Sequence, residues 1–460
     1  MKTIKTPIIP ITKTFANVKG KHELHLEAIC VFSAIGFFLD TDTYWRDKII
    51  LSPGSESIID DESFLVSSKK WFEWHSAPRE ISFENTLKEF SELFESIIEK
   101  QTTGQKVVLP LSGGLDSRTQ AVALRNHPNL NTYSYSFDGG YNESKIAKKI
   151  ADSCQFPFQS FTIQRGYLWN VIEELASINE CYSEFTHPRQ MAFIDEYCAM
   201  GDIFSLGHMG DLMFDSFGFP QLSFEEEVQK AIQLLIKKGG FELATVLWAA
   251  WGLKGSFESY FESRIRALLK EIKIENTNAK LRAFKTQFSV ARWSSNNLSV
   301  FEKVLPVTLP YYDSRMCEFI CTIPENYLSN RQLQIAYIKK NAPDLAKITW
   351  HGQKPFNLNN YHFNKPPFNI PYRVTDKIIR EFNGFIGKPH ISRNWELQFV
   401  GAENDKHLKK WLFESKLMEL VPKEIIQLFY DNFKEKNAVT YSHPVSMLLT
   451  LALFQEKFNA

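Results

Sequence analysis

The chain has 460 residues, 44% of them hydrophobic, enough for two or three domains around a substantial core. Its 53 basic residues balance 53 acidic ones, so there is no global field to hold DNA, RNA or an anionic membrane, and any anion must be held locally. The six cysteines (Cys30, Cys154, Cys181, Cys198, Cys317 and Cys321) form no CxxC pair or regular framework. The apolar runs at 29–39 and 445–454 are too short to span a bilayer, and the start of the chain lacks a signal-peptide arrangement, which together predict a cytoplasmic protein without membrane insertion.

Residues 1–82 carry short β-like pieces, LHLEAICVF and DKIILSP, with breaks at PGS and APRE, and read as a small β-rich element. Over 85–100, Leu87, Phe90, Leu93, Phe94 and Ile97 share one face of a predicted helix. Then VVLPL reads as a strand, 116–126 as a helix, TYSYSF as a strand, ESKIAKKIADSC as a helix and FPFQSFTI as a strand. YLWNVIEELASI and HPRQMAFIDEYCAM read as two helices, and DIFSL as a further strand. The alternation predicts an α/β fold, a parallel sheet with helices on both faces over about 100–215. Ligands of such sheets sit at the carboxyl ends of the strands, here the glycine-bearing junctions 112–117 and 207–211. Past Phe214 the pattern turns mostly helical, with a Pro-rich break at KPPFNIP, so 216–460 reads as a helical extension. Cys317 and Cys321 share a predicted helix face as small buried hydrophobes.

At the first junction PLSGGLDS closes a strand and opens a helix. Such a loop brings several backbone N–H groups and the positive end of a helix to one point, and its glycines permit an oxyanion to approach closely. That suits a phosphate chain. Asp116 would repel phosphates unless a divalent cation bridged them, so Mg²⁺ is the economical inference. The loop is neither GxxxxGK[ST] nor GxGxxG.

PLSGGLDS resembles the signature loop of the PP-loop ATP pyrophosphatases, and its flanks resemble the synthetase domain of the asparagine synthetase family, from about residue 83 to 458. The resemblance implies that Leu111, Ser112, Gly113, Gly114, Asp116 and Ser117 grip the β- and γ-phosphates of ATP, which is cleaved between its α- and β-phosphates. TYSYSF is similar to the family strand whose end packs on adenine, which makes Ser136 and Phe137 nucleotide contacts or, for Phe137, a core residue. Glu143 opens the following helix, where an acid favours the helix dipole.

SLGHMGDLMF resembles the family's second Gly-rich loop. By that likeness Leu206 and Gly207 border the nucleotide and Asp211 is a second Mg²⁺ ligand opposite Asp116, the other reading being a turn-forming aspartate. The glutamate expected after it is Leu212, and His208 stands where asparagine synthetases place an acid. In LPYYDSRMCEFI, Asp313 reads as an N-cap. QIAYIKKNAPDLAKITWHGQKPF resembles the segment whose lysine approaches the phosphates: Lys354, set against a generic surface lysine, with Lys339 as a further candidate. His208 serves either as the base for the incoming amine or as a hydrogen-bond partner, and Tyr182, Glu184 and His187 are weaker candidates for the substrate side.

Glutamine-dependent relatives begin, after Met removal, with a catalytic cysteine; this chain begins Met-Lys-Thr, and Cys30 lies inside an apolar run. Residues 1–82 therefore read as a remnant of a glutaminase-like domain, followed by a synthetase-like domain over 83–460. The resemblance implies an ATP- and Mg²⁺-dependent, AMP-forming amide ligase acting on a small-molecule or peptide carboxylate. The amine is ammonia, with or without a separate partner protein as its source, or an amine of the substrate itself. The alternatives are a catalytically silent nucleotide-binding subunit and a tRNA-modifying PP-loop enzyme. The missing CxxC pair and basic excess count against the last, so no nucleic-acid partner is expected.

Overall fold

The computed structural model describes residues 1–385 and 390–459. Its first part contains strands β1 (Lys2–Lys5), β2 (Phe15–Asn17), β3 (Lys48–Ile50), β4 (Ser55–Ile59) and β5 (Leu65–Lys70). They form two small antiparallel sheets, ordered β1-β4-β5 and β2-β3. LHLEAICVF, expected to be β-like, instead forms helix α1 (Leu26–Ile35). Every residue from Ala28 to Ile35 is buried, so the segment carries neither a period of two nor one of 3.6, and an all-apolar run leaves helix and strand indistinguishable. Packing decides it. Ser33 turns its hydroxyl back onto the Ile29 carbonyl at 2.8 Å, Gly36 ends the helix at φ 85°, and the Ala34 carbonyl meets the bare backbone of Gly240.

Helix α2 (Phe83–Thr102) opens on Ser82, whose hydroxyl accepts the Asn85 N–H, and buries Leu87, Phe90, Phe94 and Ile97 as its pattern requires. The alternating region follows: β6 (Val107–Pro110), α3 (Asp116–Ala123), β7 (Leu130–Phe137), α4 (Ser144–Cys154), β8 (Phe158–Ile163), α5 (Tyr167–Asn179), β9 (Ile203–Ser205) and, after a helical stretch, β10 (Val307–Thr308). The five strands are parallel, in the order β10-β9-β6-β7-β8. β6 and β9 are neighbours, so the two Gly-bearing junctions leave the sheet side by side.

HPRQMAFIDEYCAM is not one helix. It is a 3-10 turn (Arg189–Glu196) broken at Phe193, followed by a short α-helix (Tyr197–Met200). The break seats the buried Phe193 ring on Phe161, 4.5 Å between centroids and 10° from parallel, an aromatic contact that a continued helix would have to forgo.

The remainder is mostly helical, as expected. Asp313 caps the helix Ser314–Thr322 by accepting the Arg315 N–H at 3.1 Å. Cys317 and Cys321 on that helix are buried free thiols. The apolar run near the end belongs to Ala438–Lys457, whose Phe454 stacks on Tyr44 at 3.6 Å between centroids. No helix among the described residues is long and apolar enough to cross a membrane. One apolar core runs from Ile8 to Phe454, and a minor cluster of Ala16, Leu51 and Ile59 sits under the first sheets.

Candidate active site

The loop after β6 is folded on itself before any ligand arrives. The Ser112 N–H donates to Ser117 Oγ at 3.0 Å, the two hydroxyls lie 3.0 Å apart, and the Gly114 N–H donates to Ser112 Oγ at 3.1 Å. Gly113 is required by contact: a Cβ there would lie 2.6 Å from His351 Cβ, and the Gly113 carbonyl accepts the His351 N–H at 2.9 Å. Arg118, fully buried on α3, extends this clamp through Nη1 to the carbonyl of Ile348 (2.9 Å) and through Nη2 to that of Thr349 (2.8 Å). The phosphate-type loop is thereby hydrogen-bonded to the 348–351 segment that leads into Lys354.

Asp116 starts α3, and its carboxylate faces three elements. Arg331 Nη2 makes a short ion pair with Oδ1, Gln334 Nε2 donates to the same oxygen at 3.1 Å, and a Cβ on Gly210 would lie 2.5 Å from it. Tyr311 fixes the start of the helix by donating to the Asp116 carbonyl at 2.9 Å. Burial raises the Asp116 pKa, the Arg331 guanidinium opposes that, and the nearby Asp211 charge adds to the rise.

Asp116 opens onto a cleft of about 190 Å³ lined by Leu111, Ser112, Asp116, Ser117, Gly207 and His208 from the expected set. Tyr135, Glu143, Gln190 and Phe301 complete its wall. Other candidates lie outside the lining. From β7 the cleft takes Tyr133, Ser134 and Tyr135 rather than Ser136 or Phe137, and Phe137 is buried. Leu206 is fully buried and donates its N–H to the Thr308 carbonyl at 3.0 Å, while Gly113 and Gly114 contribute backbone behind the cleft. Lys354 is half-buried beside the Glu143 wall; burial lowers its pKa and the Glu143 carboxylate opposes this. Lys339 is exposed in the last turn of Gln332–Asn341. Tyr182 is buried among Phe15, Phe38 and Tyr44, and the buried Glu184 is engaged with Thr186, Ser446 and His187.

His208 Nδ1 is buried without a hydrogen-bond partner. Burial, with the Arg189 charge in second place, pushes the imidazole down to about 4. A neutral imidazole offers one N–H donor and one acceptor nitrogen to whatever enters the cleft beside it.

Asp116 and Asp211 offer carboxylates from adjacent strand ends, and their mutual repulsion is what a divalent cation would relieve. Among the described residues no group of three or more His, Cys, Asp or Glu gathers to hold a metal. Asp116 lines the cleft while the exposed Asp211 lies outside its lining, so Asp116 is the carboxylate best placed to meet a cation carried on phosphate oxygens, the manner in which Mg²⁺ is commonly held. Arg331, Gln334 and Tyr311 escape sequence reasoning, since no local spacing marks residues that reach Asp116 from 215, 218 and 195 positions away, and the same holds for Arg118, whose Ile348 partner lies 230 positions on.

A comparison with curated proteins finds no match. The description "Asparagine synthase" matches residues 89–342, which takes in the loop after β6, the loop after β9, Arg331 and Gln334. With more than half its length so matched, the chain belongs to the asparagine synthase family and, with it, to the ATP-using amide ligases.

Proposed function

We propose that the protein joins a carboxylate to an amine through an acyl-adenylate. The substrate carboxylate oxygen attacks the α-phosphorus of ATP, the bond to the β-phosphate bridging oxygen breaks, and pyrophosphate leaves. An unprotonated amine, either ammonia or an amine of the substrate, then attacks the acyl carbon; AMP leaves with the bonding electron pair, and the amide forms after loss of a proton. The observation that supports this reading is the cleft that joins Ser112, Asp116 and Ser117 of the SGGLDS loop to Gly207 and His208 of the loop after β9.

In this reading the N–H groups of 112–117 bind the β- and γ-phosphates, and the clamp of Arg118 and Gly113 holds Lys354 toward the departing pyrophosphate, whose charge the ammonium stabilises. Asp116 and Asp211 would hold Mg²⁺, which when bound neutralises phosphate charge. His208 orients the acyl group or the amine by hydrogen bonding. Residues 1–82 serve as a glutaminase-like remnant and cover, placed in the cytoplasm with the rest of the chain. Cys30 is unsuited to glutamine hydrolysis because burial raises its thiol pKa.

The Arg331–Asp116 ion pair favours one other reading, a nucleotide-binding subunit whose carboxylate is already neutralised. ATP–pyrophosphate exchange with Mg²⁺ and pools of acids separates the two: acid-stimulated exchange that disappears in Asp116→Ala supports the ligase, and ATP binding without exchange supports the silent subunit.

A further inference from the structure

The helix Ile370–Phe385 stands apart from the rest of the molecule. Its sequence, IPYRVTDKIIREFNGF, repeats an apolar residue at Ile370, Val374, Ile378 and Phe382, a spacing of four that lays a stripe along one side. Such a stripe normally faces a core. Here it faces solvent: the four side chains are 47–62% exposed, and Phe385 at the end of the helix is 90% exposed. Tyr372 and Asp376 are the half-buried residues of the helix, which turns the opposite side toward the body. Among the described residues no other helix or strand packs along it.

Both roots of this helix are fixed at the candidate site. The chain reaches it from the 348–351 segment, which is hydrogen-bonded to the phosphate-type loop, and Asn369 Nδ2 closes the preceding turn by donating to Asn364 Oδ1 at 3.0 Å. Beyond the helix, the Ile391 carbonyl accepts the Tyr141 N–H at 2.7 Å, close to the Glu143 wall of the cleft. The helix is thus an arm rooted at the cleft rim. A single helix of 16 residues is close to the limit of stability in water, and amphipathic helices draw most of theirs from packing the apolar face. An uncovered stripe of this size marks an interaction surface.

The charges along the helix choose the partner. Arg373, Lys377 and Arg380 are set against Asp376 and Glu381, and two of the three basic groups are engaged within the helix, Lys377 with Glu381 at 3.7 Å and Arg380 with Asp376 at 3.0 Å. That near balance leaves little to draw the helix to an anionic membrane or to nucleic acid, which select a strong basic excess. It suits a surface carrying the same mixture. Antiparallel pairing with a second copy, about a two-fold axis at Ile378, sets Val374 against the second copy's Phe382, small against large, and Ile378 against its own equivalent. Lys377 and Glu381 border the stripe, and the same rotation carries each lysine to within about half a turn of the other chain's glutamate, in reach of both side chains. The surface is complementary to itself in shape and in charge.

We propose that the helix Ile370–Phe385 is a self-association arm, through which two copies of this chain pair antiparallel about a two-fold axis at Ile378. Each arm is rooted at a cleft rim, so the helix pair links two candidate active sites.

The full-length protein is run in sedimentation velocity over a concentration series. A reversible dimer is expected at micromolar concentration, and Ile378→Glu or Phe382→Glu, on a face that nothing in the single chain covers, gives a monomer with ATP affinity unchanged. Lys377→Glu weakens the dimer by about tenfold or more, and Lys377→Glu combined with Glu381→Lys restores it, which unspecific apolar adhesion does not do. Under air and copper–phenanthroline, Ile378→Cys forms a disulfide-linked dimer faster than the parent, whose exposed Cys198 serves as the control. A parent that stays monomeric to about 100 µM, or a dimer indifferent to Ile378→Glu, overturns the proposal. So does a monomer that sediments with phosphatidylglycerol vesicles and ceases to do so in Phe382→Glu, which would give the stripe to a lipid surface instead.

Discussion

Arg331 places its guanidinium on the Asp116 carboxylate, so the group that the loop presents for phosphate chemistry already has a counter-charge. Both side chains are largely covered, 11% and 23% exposed. Arg331→Met therefore strands a covered carboxylate next to Asp211 and costs roughly 2 kcal/mol of stability without nucleotide, less than the loss of a fully buried pair. Added Mg²⁺·ATP replaces the missing charge, so its stabilising effect in urea unfolding is larger in the variant than in the parent. Equal ligand-induced stabilisation in both proteins would count against displacement of Arg331 by the bound ligand.

Gly113 and Gly114 are adjacent but differ in what surrounds them. A methyl on Gly113 meets His351 Cβ at 2.6 Å, whereas one on Gly114 meets only the Ser112 hydroxyl, at 3.2 Å. Gly113→Ala pushes the Lys354 segment off the loop and lowers stability by about 1–3 kcal/mol; Gly114→Ala costs less. Urea midpoints test the order, and indistinguishable midpoints would mean that the 351–354 segment yields freely.

Lys354 lies on the segment that Arg118 and Gly113 pin to the loop. Lys354→Met should lower kcat for exchange by about 10²–10³-fold, the usual loss when a fixed donor to developing charge is removed, while ATP affinity in equilibrium binding changes by no more than about twofold. Comparable losses in affinity and rate would instead make Lys354 a ground-state nucleotide contact.

His443, on the helix Ala438–Lys457, donates from Nε2 to the Ser33 carbonyl of α1 at 3.0 Å, and burial pushes its pKa down from 6.5 to about 4, against the opposing Glu184 charge. The unfolded chain thus takes up this proton first. The contribution is fully present above pH about 6.5 and is lost progressively as pH falls toward about 4. His208 shifts in the same direction. Thermal midpoints should fall between pH 7 and 4, and His443→Gln, which keeps an N–H for Ser33, should flatten part of that slope. A parallel slope in the variant would assign the acid sensitivity elsewhere.

The amino-acid pattern alone settled the parallel α/β core, because strand and helix periods and the glycines between them act over a few residues. It likewise brought Ser112, Asp116, Ser117, Gly207 and His208 to neighbouring strand ends, since a parallel sheet sends the carboxyl ends of its strands to one edge. Where the local signal was degenerate, packing decided: α1 forms as a helix because it is enclosed on every side, and the 189–200 stretch breaks so that Phe193 can stack on Phe161. Only the tertiary structure set Arg331 on Asp116, joined the His351 N–H to the Gly113 carbonyl, and carried Arg118 to the carbonyls of Ile348 and Thr349. Those partners lie on elements far apart along the chain, and what joins them is the burial of a shared core, which no spacing within a single element encodes.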